Sequence, residues 1–213
     1  MTHRLVAAFL TWLKRLLAFI RSSLWPRARS TEPWAEAETH FGSRGMHYYV
    51  GGRFLSLSQQ FPVSANLLHH AVEMLLKAAL SRTHPRAALQ AMQHNLRKAW
   101  LAFKGVHPDP RLNALDAAVS SLNKFENLRY PDDALLKGMV GMFALERSHV
   151  MSHQTHAARP SPQYVLVLED VDELVQLIFE VGGMNPHFYL NGTHPRAIAV
   201  LNEHNLHPFP PAA

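Results

Sequence analysis

The sequence predicts a mainly α-helical protein, an antiparallel bundle of about five core helices. Three observations carry that reading. Apolar residues recur at three- and four-residue spacing in successive stretches, and Gly or Pro closes most of those stretches. Only one region, between Asp132 and Pro162 and its borders, departs from helical spacing, and it leaves room for a short β-hairpin insertion. A chain of 213 residues that is 47% hydrophobic can bury one substantial core.

Residues 1–25 read as a basic amphipathic helix. Leu5, Phe9, Trp12, Leu13, Leu16, Leu17, Phe19, Ile20 and Leu24 cover about half of the helical wheel. Arg4, Thr11, Lys14, Arg15, Arg21 and Ser22 fill the rest. Lys14 and Arg15 interrupt the apolar run well short of the roughly 20 residues that a spanning helix needs. No small-x-small cleavage site precedes Pro26, which argues against a secretory signal. Two roles stay open for this helix: packing against the domain or another subunit, or lying on a membrane surface. Residues 26–40, with Pro26 and Pro33, read as a linker.

The bundle is expected over residues 41–185. Its first helix runs from Phe41 to about Gln60, with Met46, Tyr49, Phe54 and Leu57 for burial; Gly51 and Gly52 either loosen it or admit a neighbouring backbone. Phe61-Pro62-Val63-Ser64 breaks the chain, and Ser64 is placed to cap the next helix. On that helix Leu68, Ala71, Val72, Leu75, Leu76 and Ala79 share one side, while His69, His70, Glu73 and Lys77 share the other. Ser81 to Pro85 ends it. A third helix covers His94 to Phe103, with Leu96, Trp100 and Phe103 at helical spacing, and Gly105 and Pro108 close it. A fourth covers Pro110 to Asn127, aligning Leu112, Leu115, Val119, Leu122 and Phe125 before Pro131 stops it. Two short strands, 138–145 and 163–168, are expected to flank a His-rich excursion as a hairpin. Glu169 to Val181 returns to helix through Val171, Leu174, Val175, Ile178 and Phe179, and Gly182-Gly183 ends it. Residues 186–213 read as a short helix from Pro195 to His204, opened by Thr193 or His194, and a Pro-rich tail at Pro208, Pro210 and Pro211.

Composition narrows the chemistry. The chain has no Cys, which removes disulfides, thiolate metal sites and a cysteine nucleophile, and fits a reducing cytoplasm. A net charge of +5 mildly favours anionic partners. No glycine-rich phosphate loop or dinucleotide fingerprint is present, and no cofactor or metal is expected. His149, His153 and His156 would align on a helix, but their surroundings read as an exposed excursion without a fixed carboxylate partner. Trp100, Phe103, Phe125 and Phe179 lie on apolar faces and are expected in the core.

The polar stripe admits two readings. His69, His70, Glu73 and Lys77 either line a pocket, with Lys77 toward phosphate and a His toward base or sugar, or form a solvated face whose Glu73 to Lys77 pair contributes about 0.2–0.5 kcal/mol. Arg129 and Tyr130 either complete a cleft or subunit interface, or serve the helix end, where Arg129 reaches terminal carbonyls.

Three blocks, in order, resemble the HEPN-domain family, small helical bundles associated with nucleotidyltransferases and with toxin-antitoxin or defence systems. His70-Ala71-Val72-Glu73-Met74-Leu75-Leu76-Lys77-Ala78 looks like that family's His-x-x-Glu-x-x-x-Lys-Ala helix; His94-Asn95-Leu96 resembles its His-Asp/Asn-Leu helix entry; Arg129-Tyr130-Pro131-Asp132 resembles the Arg-Tyr-Pro-Asp after its fourth helix. The blocks span residues 45–135, and the helix near 169–183 would complete the bundle. The N-terminal segment, residues 133–168 and the tail depart from the minimal family domain. The resemblance implies a dimeric nucleotide- or RNA-associated binding module, paired in some systems with a nucleotidyltransferase. His69, His70, Glu73, Lys77, His94, Arg129 and Tyr130 become the candidate ligand-binding residues. It also implies an alternative, a metal-independent ribonuclease toxin with an Arg-x(4–6)-His pair, matched here by Arg147 and His153. With 15 His in the chain, a match of that looseness carries little weight. The third alternative is a non-catalytic scaffold that docks a partner or a membrane through residues 1–25.

Overall fold

The computed structural model describes residues 33–61, 63–125, 141–149 and 164–209. The chain divides into two compact units, Met1–Pro33 and Trp34–Ala213, and the structure below is that of the second. The helix expected over residues 1–25 lies outside the described residues. The protein is mainly α-helical, with one two-stranded sheet among the described residues.

Helix α1 spans Pro33–Leu57. It starts inside the expected 26–40 linker because proline at a first helical position already has the right φ and needs no partner for an N–H. Its opening turns are tied down: Arg82 lies over the Trp34 ring at 5.2 Å and pairs with Glu38 at 2.7 Å, and the Tyr189 hydroxyl donates to Glu38 at 3.1 Å. Helix α2 spans Val63–Leu80 and runs antiparallel to α1. Glycines permit the close pairing. A Cβ at Gly45 would fall 3.1 Å from the Leu75 nitrogen, and one at Gly52 would fall 3.2 Å from the Leu68 nitrogen. Gly52 thus admits a backbone rather than loosening its helix.

Burial on α1 corrects the expected face. Met46, Tyr49, Arg53 and Ser56 are buried, whereas Phe54 is 54% exposed. The stripe facing α2 is set by where the glycines allow contact, and Phe54 falls off it. Ser64 does not cap α2. Val63 already begins the helix, and the Ser64 N–H donates to the Gln60 carbonyl at 3.0 Å.

Four further elements follow α2, and the two longer helices among them pack on it. A short helix α3, Arg86–Ala91, leads to α4, Leu96–Val106, whose N-terminus is capped by the Asn95 side chain accepting from Lys98 N–H at 2.9 Å. A 3-10 turn over Pro110–Leu115 then gives way to α5, Asp116–Phe125, so the expected fourth helix is split by its tighter opening. Leu112, Leu115, Val119, Leu122 and Phe125 are buried as their spacing requires. Trp100 donates to Asp116 at 2.7 Å and locks α4 to α5.

The strands correct a second expectation. Strand β1, Gly141–Ala144, pairs with β2, Tyr164–Val167, in parallel, with Gly141 opposite Tyr164 and Ala144 opposite Val167. They are not a hairpin. Parallel pairing needs a crossover of about a dozen residues or more, which 145–163 provides, and β2 then runs straight into α6, Leu168–Val181. Phe61, after α1, stacks on Phe143 of β1 with ring centroids 4.0 Å apart. Glu169 and Asp170 occupy the first turn of α6, where carboxylates suit the helix dipole. Gly183, at φ +63°, lets the chain leave it.

Helices α7, Pro186–Leu190, and α8, Pro195–Asn202, follow; His194 caps α8 by accepting from Arg196 N–H at 3.2 Å. The chain beyond α8 is no loose tail as far as Phe209. Asn202 bonds both the N–H and the C=O of Phe209 at 2.8 Å, and that ring is buried. Helix α2 packs against α4, α5 and α6 at the centre. Among the described residues no helix is long and apolar enough to cross a membrane.

Candidate functional site

The polar stripe of α2 is not a solvated face. His69 and Glu73 are fully buried and Lys77 nearly so, because α4, α5 and the turn before α4 cover the side of α2 that the apolar pattern left outside. A carboxylate in that setting must find donors or lose its charge. Glu73 finds three. Lys77 Nζ donates to Oε1 at 2.6 Å, His94 Nδ1 lies 3.2 Å from Oε2, and His70 Nδ1 lies 3.4 Å from the same oxygen. Burial alone would raise the Glu73 pKa, but the donors from His70, Lys77 and His94 overcome it and hold the group down to about 2.

An ionised carboxylate can only accept, so His94 donates through Nδ1–H. In the neutral ring that tautomer leaves Nε2 as an acceptor or base, and the His94 side chain is 54% exposed. Lys77 faces the other way. Its ammonium is shared between Glu73 and the Gln93 carbonyl at 2.7 Å, so it braces the loop before α4 from within. His69 donates Nδ1–H to the Leu122 carbonyl of α5 at 3.0 Å, since a carbonyl likewise only accepts.

The rings form a run. Tyr48 and His70 have centroids 5.6 Å apart, and His70 and His94 are also 5.6 Å apart. Tyr48 is half-buried, and His70 retains 18% side-chain exposure. The arrangement offers aromatic faces and an oriented imidazole at an edge, with a charged network behind them.

The fold therefore gathers His69, His70, Glu73, Lys77 and His94 into one cluster. Arg129, Tyr130 and His153 lie outside the described residues. Arg147 does not join the cluster. Its guanidinium pairs with Asp170 and Glu173 of α6, and its N–H donates to Glu169 at 3.0 Å. An anionic substrate would have to displace those carboxylates. His149 is exposed, whereas His156 is outside the described residues.

A second buried network escaped the sequence reading. Asp172 of α6 accepts from the Tyr49 hydroxyl at 2.6 Å and from Arg53, both on α1, and Arg53 also donates to the Glu203 carbonyl beyond α8. Arg53 and Asp172 side chains are both 0% exposed. Burial pushes the Asp172 pKa upward against the opposing pull of Arg53 and Tyr49, and burial with the Asp172 charge raises the Tyr49 phenol well above its usual value. The signal was present as a carboxylate, Asp172, set directly after Val171 of the apolar face that Val175 continues, and as an Arg in step with Met46 and Tyr49.

No protein-family model matches the chain, and neither a curated protein nor a solved structure matches it.

Proposed function

We propose that this protein is a HEPN-like nucleotide- or RNA-associated binding module of the cytoplasm whose ligand meets the Tyr48–His70–His94 edge. The observation that carries the reading is a row of partly exposed rings set on a buried, ionised carboxylate. A base can stack on such rings, and an imidazole with its tautomer fixed presents one defined hydrogen-bonding atom to it. Lys77 takes a different part from the phosphate contact that its sequence position suggests. Its charge is spent on Glu73 and Gln93, so it holds the site in shape. The positive net charge supports an anionic partner, and the absence of Cys supports a reducing compartment. A second protomer and a nucleotidyltransferase are the partners that this reading includes.

The ion pairing of Arg147 favours binding over the ribonuclease alternative, because a guanidinium held between two carboxylates is poorly placed to stabilise a phosphorane. Titration with ATP and with a short single-stranded RNA tests the proposal. Saturable binding that weakens about tenfold or more in His94→Ala and Tyr48→Ala is expected, in line with stacking worth about 1–3 kcal/mol per base. Equal affinity in all three proteins would remove this edge as the site.

A further inference from the structure

We propose that His69, His70 and Glu73, completed by His94, bind one divalent transition-metal ion of the zinc class. One ring nitrogen from each of His69 and His70 and one Glu73 oxygen lie within 4.8 Å of one another. His94 Nδ1 stands 3.2 Å from Glu73 Oε2. Zinc bonds of about 2.0–2.1 Å place tetrahedral ligand atoms roughly 3.3 Å apart, so adjustments of about an ångström close His69, His70 and Glu73, and a larger turn of the half-exposed His94 side chain completes the set. Coordination exchanges the imidazole hydrogen bonds to Oε2 for bonds to the metal, each ring passing its Nδ1 proton through solvent to Nε2 so that a neutral imidazole offers the Nδ1 lone pair.

The surrounding contacts are those that a metal site uses. His69 gives Nδ1–H to the Leu122 carbonyl at 3.0 Å, which fixes its ring and puts the lone pair on Nε2. Glu73 divides its oxygens: Oε1 holds the Lys77 ammonium at 2.6 Å, and Oε2 faces the imidazoles. A ligating carboxylate braced by a hydrogen bond to its other oxygen is a usual supporting arrangement. Imidazoles with one carboxylate and no thiolate favour zinc, nickel or copper over calcium or magnesium. His94, half-exposed, gives the ion a way in. Sequence reasoning expected no metal, because it weighed only His149, His153 and His156, which have no fixed carboxylate partner; His94 lies far from the α2 residues along the chain.

This inference stands on the cluster itself and does not need the nucleotide reading. The test uses the full chain, freed of any affinity tag and dialysed against a chelator, titrated calorimetrically with zinc chloride alone. One equivalent per chain is expected, with affinity weakened in His70→Ala/His94→Ala by more than the about 10- to 100-fold that loss of an outer-shell partner costs, and unchanged in His187→Ala, a histidine outside the cluster. Far-UV circular dichroism checks that the double variant keeps its helices, and His94→Ala alone, a change at a half-exposed position, repeats the measurement if it does not. Binding that does not saturate, or that is equally strong without the cluster imidazoles, overturns the proposal. In the unmutated chain, ATP or RNA binding without zinc binding would leave the nucleotide reading standing and overturn the metal, and zinc binding without ATP or RNA binding would do the opposite.

Discussion

Glu73 and Asp172 are buried carboxylates on two helices that pack together, α2 and α6; burial pushes both pKa values up, yet their net shifts are opposite. Glu73 is held down to about 2 by Lys77 and two imidazoles, one of which reaches the surface. Asp172 is raised, because its own burial outweighs the lowering pull of Arg53 and Tyr49, which are as sealed as it is. A buried charge by itself is therefore no sign of a site. What separates the two networks is that one has an edge accessible to a ligand, whereas the other joins α1, α6 and the chain after α8 as an internal clamp.

The largest expected effect tests the clamp. Arg53→Met leaves Asp172 without its cation in a sealed setting, and breaking a buried pair from one side costs about 3–5 kcal/mol. Urea denaturation should show that loss, with ligand affinity unchanged once the protein is folded. A loss below about 1 kcal/mol would mean that the pair is not the clamp described.

Glu73→Gln should cost about 3 kcal/mol, somewhat less, because Lys77 keeps the Gln93 carbonyl and His94 can turn to water. Its diagnostic is pH. A carboxylate lowered from 4.5 to about 2 adds stability that is complete above 4.5 and is lost as pH falls through that window. Asp172, raised instead, loses stability as pH climbs from 3.8 through its folded value. Denaturation between pH 5 and about 2 should therefore show the wild type weakening in acid and Glu73→Gln weakening less. Parallel curves would assign the acid loss elsewhere.

Gly52 sits where the helices of the two networks approach. An alanine Cβ there would press within 3.2 Å of the Leu68 nitrogen, and overpacking costs about 1–3 kcal/mol, offset by up to about 1 kcal/mol of helix propensity. A net loss of about 1–2 kcal/mol in thermal denaturation is expected. A gain would show that the pair of helices can separate without penalty.

These comparisons also show what periodicity can and cannot reveal. The apolar faces of α2, α4, α5 and α6 were legible because each follows the helical period, and the end of α6 followed from cap chemistry, whereas the Asn95 cap was taken as part of the helix itself. The side of α2 bearing His69 and Glu73 was legible as polar but not as buried. Its cover comes from Leu122 and from the loop at Gln93 and His94, which sequence distance hides. Arg53 escaped because a lone Arg beside a Phe54 expected in the core looks like surface until the glycines that seat α1 on α2 are taken as a face. The parallel strands escaped because two short apolar runs suit either pairing, and the pairing depends on the path between them.

His94→Ala carries the smallest expected effect on stability and the sharpest bearing on the comparison. The ring is half-exposed, and its removal leaves Glu73 with Lys77 and His70, so denaturation should move by no more than about 0.5 kcal/mol. Arg53, by contrast, cannot be removed without unmaking an internal joint. If the edge reading is right, the two substitutions dissociate: Arg53→Met weakens the fold and spares binding, whereas His94→Ala spares the fold and weakens binding of nucleotide, metal or both. A His94→Ala protein that loses as much stability as Arg53→Met would make the Glu73 cluster a second clamp, and the half-exposed imidazole would then be a structural residue that happens to reach water.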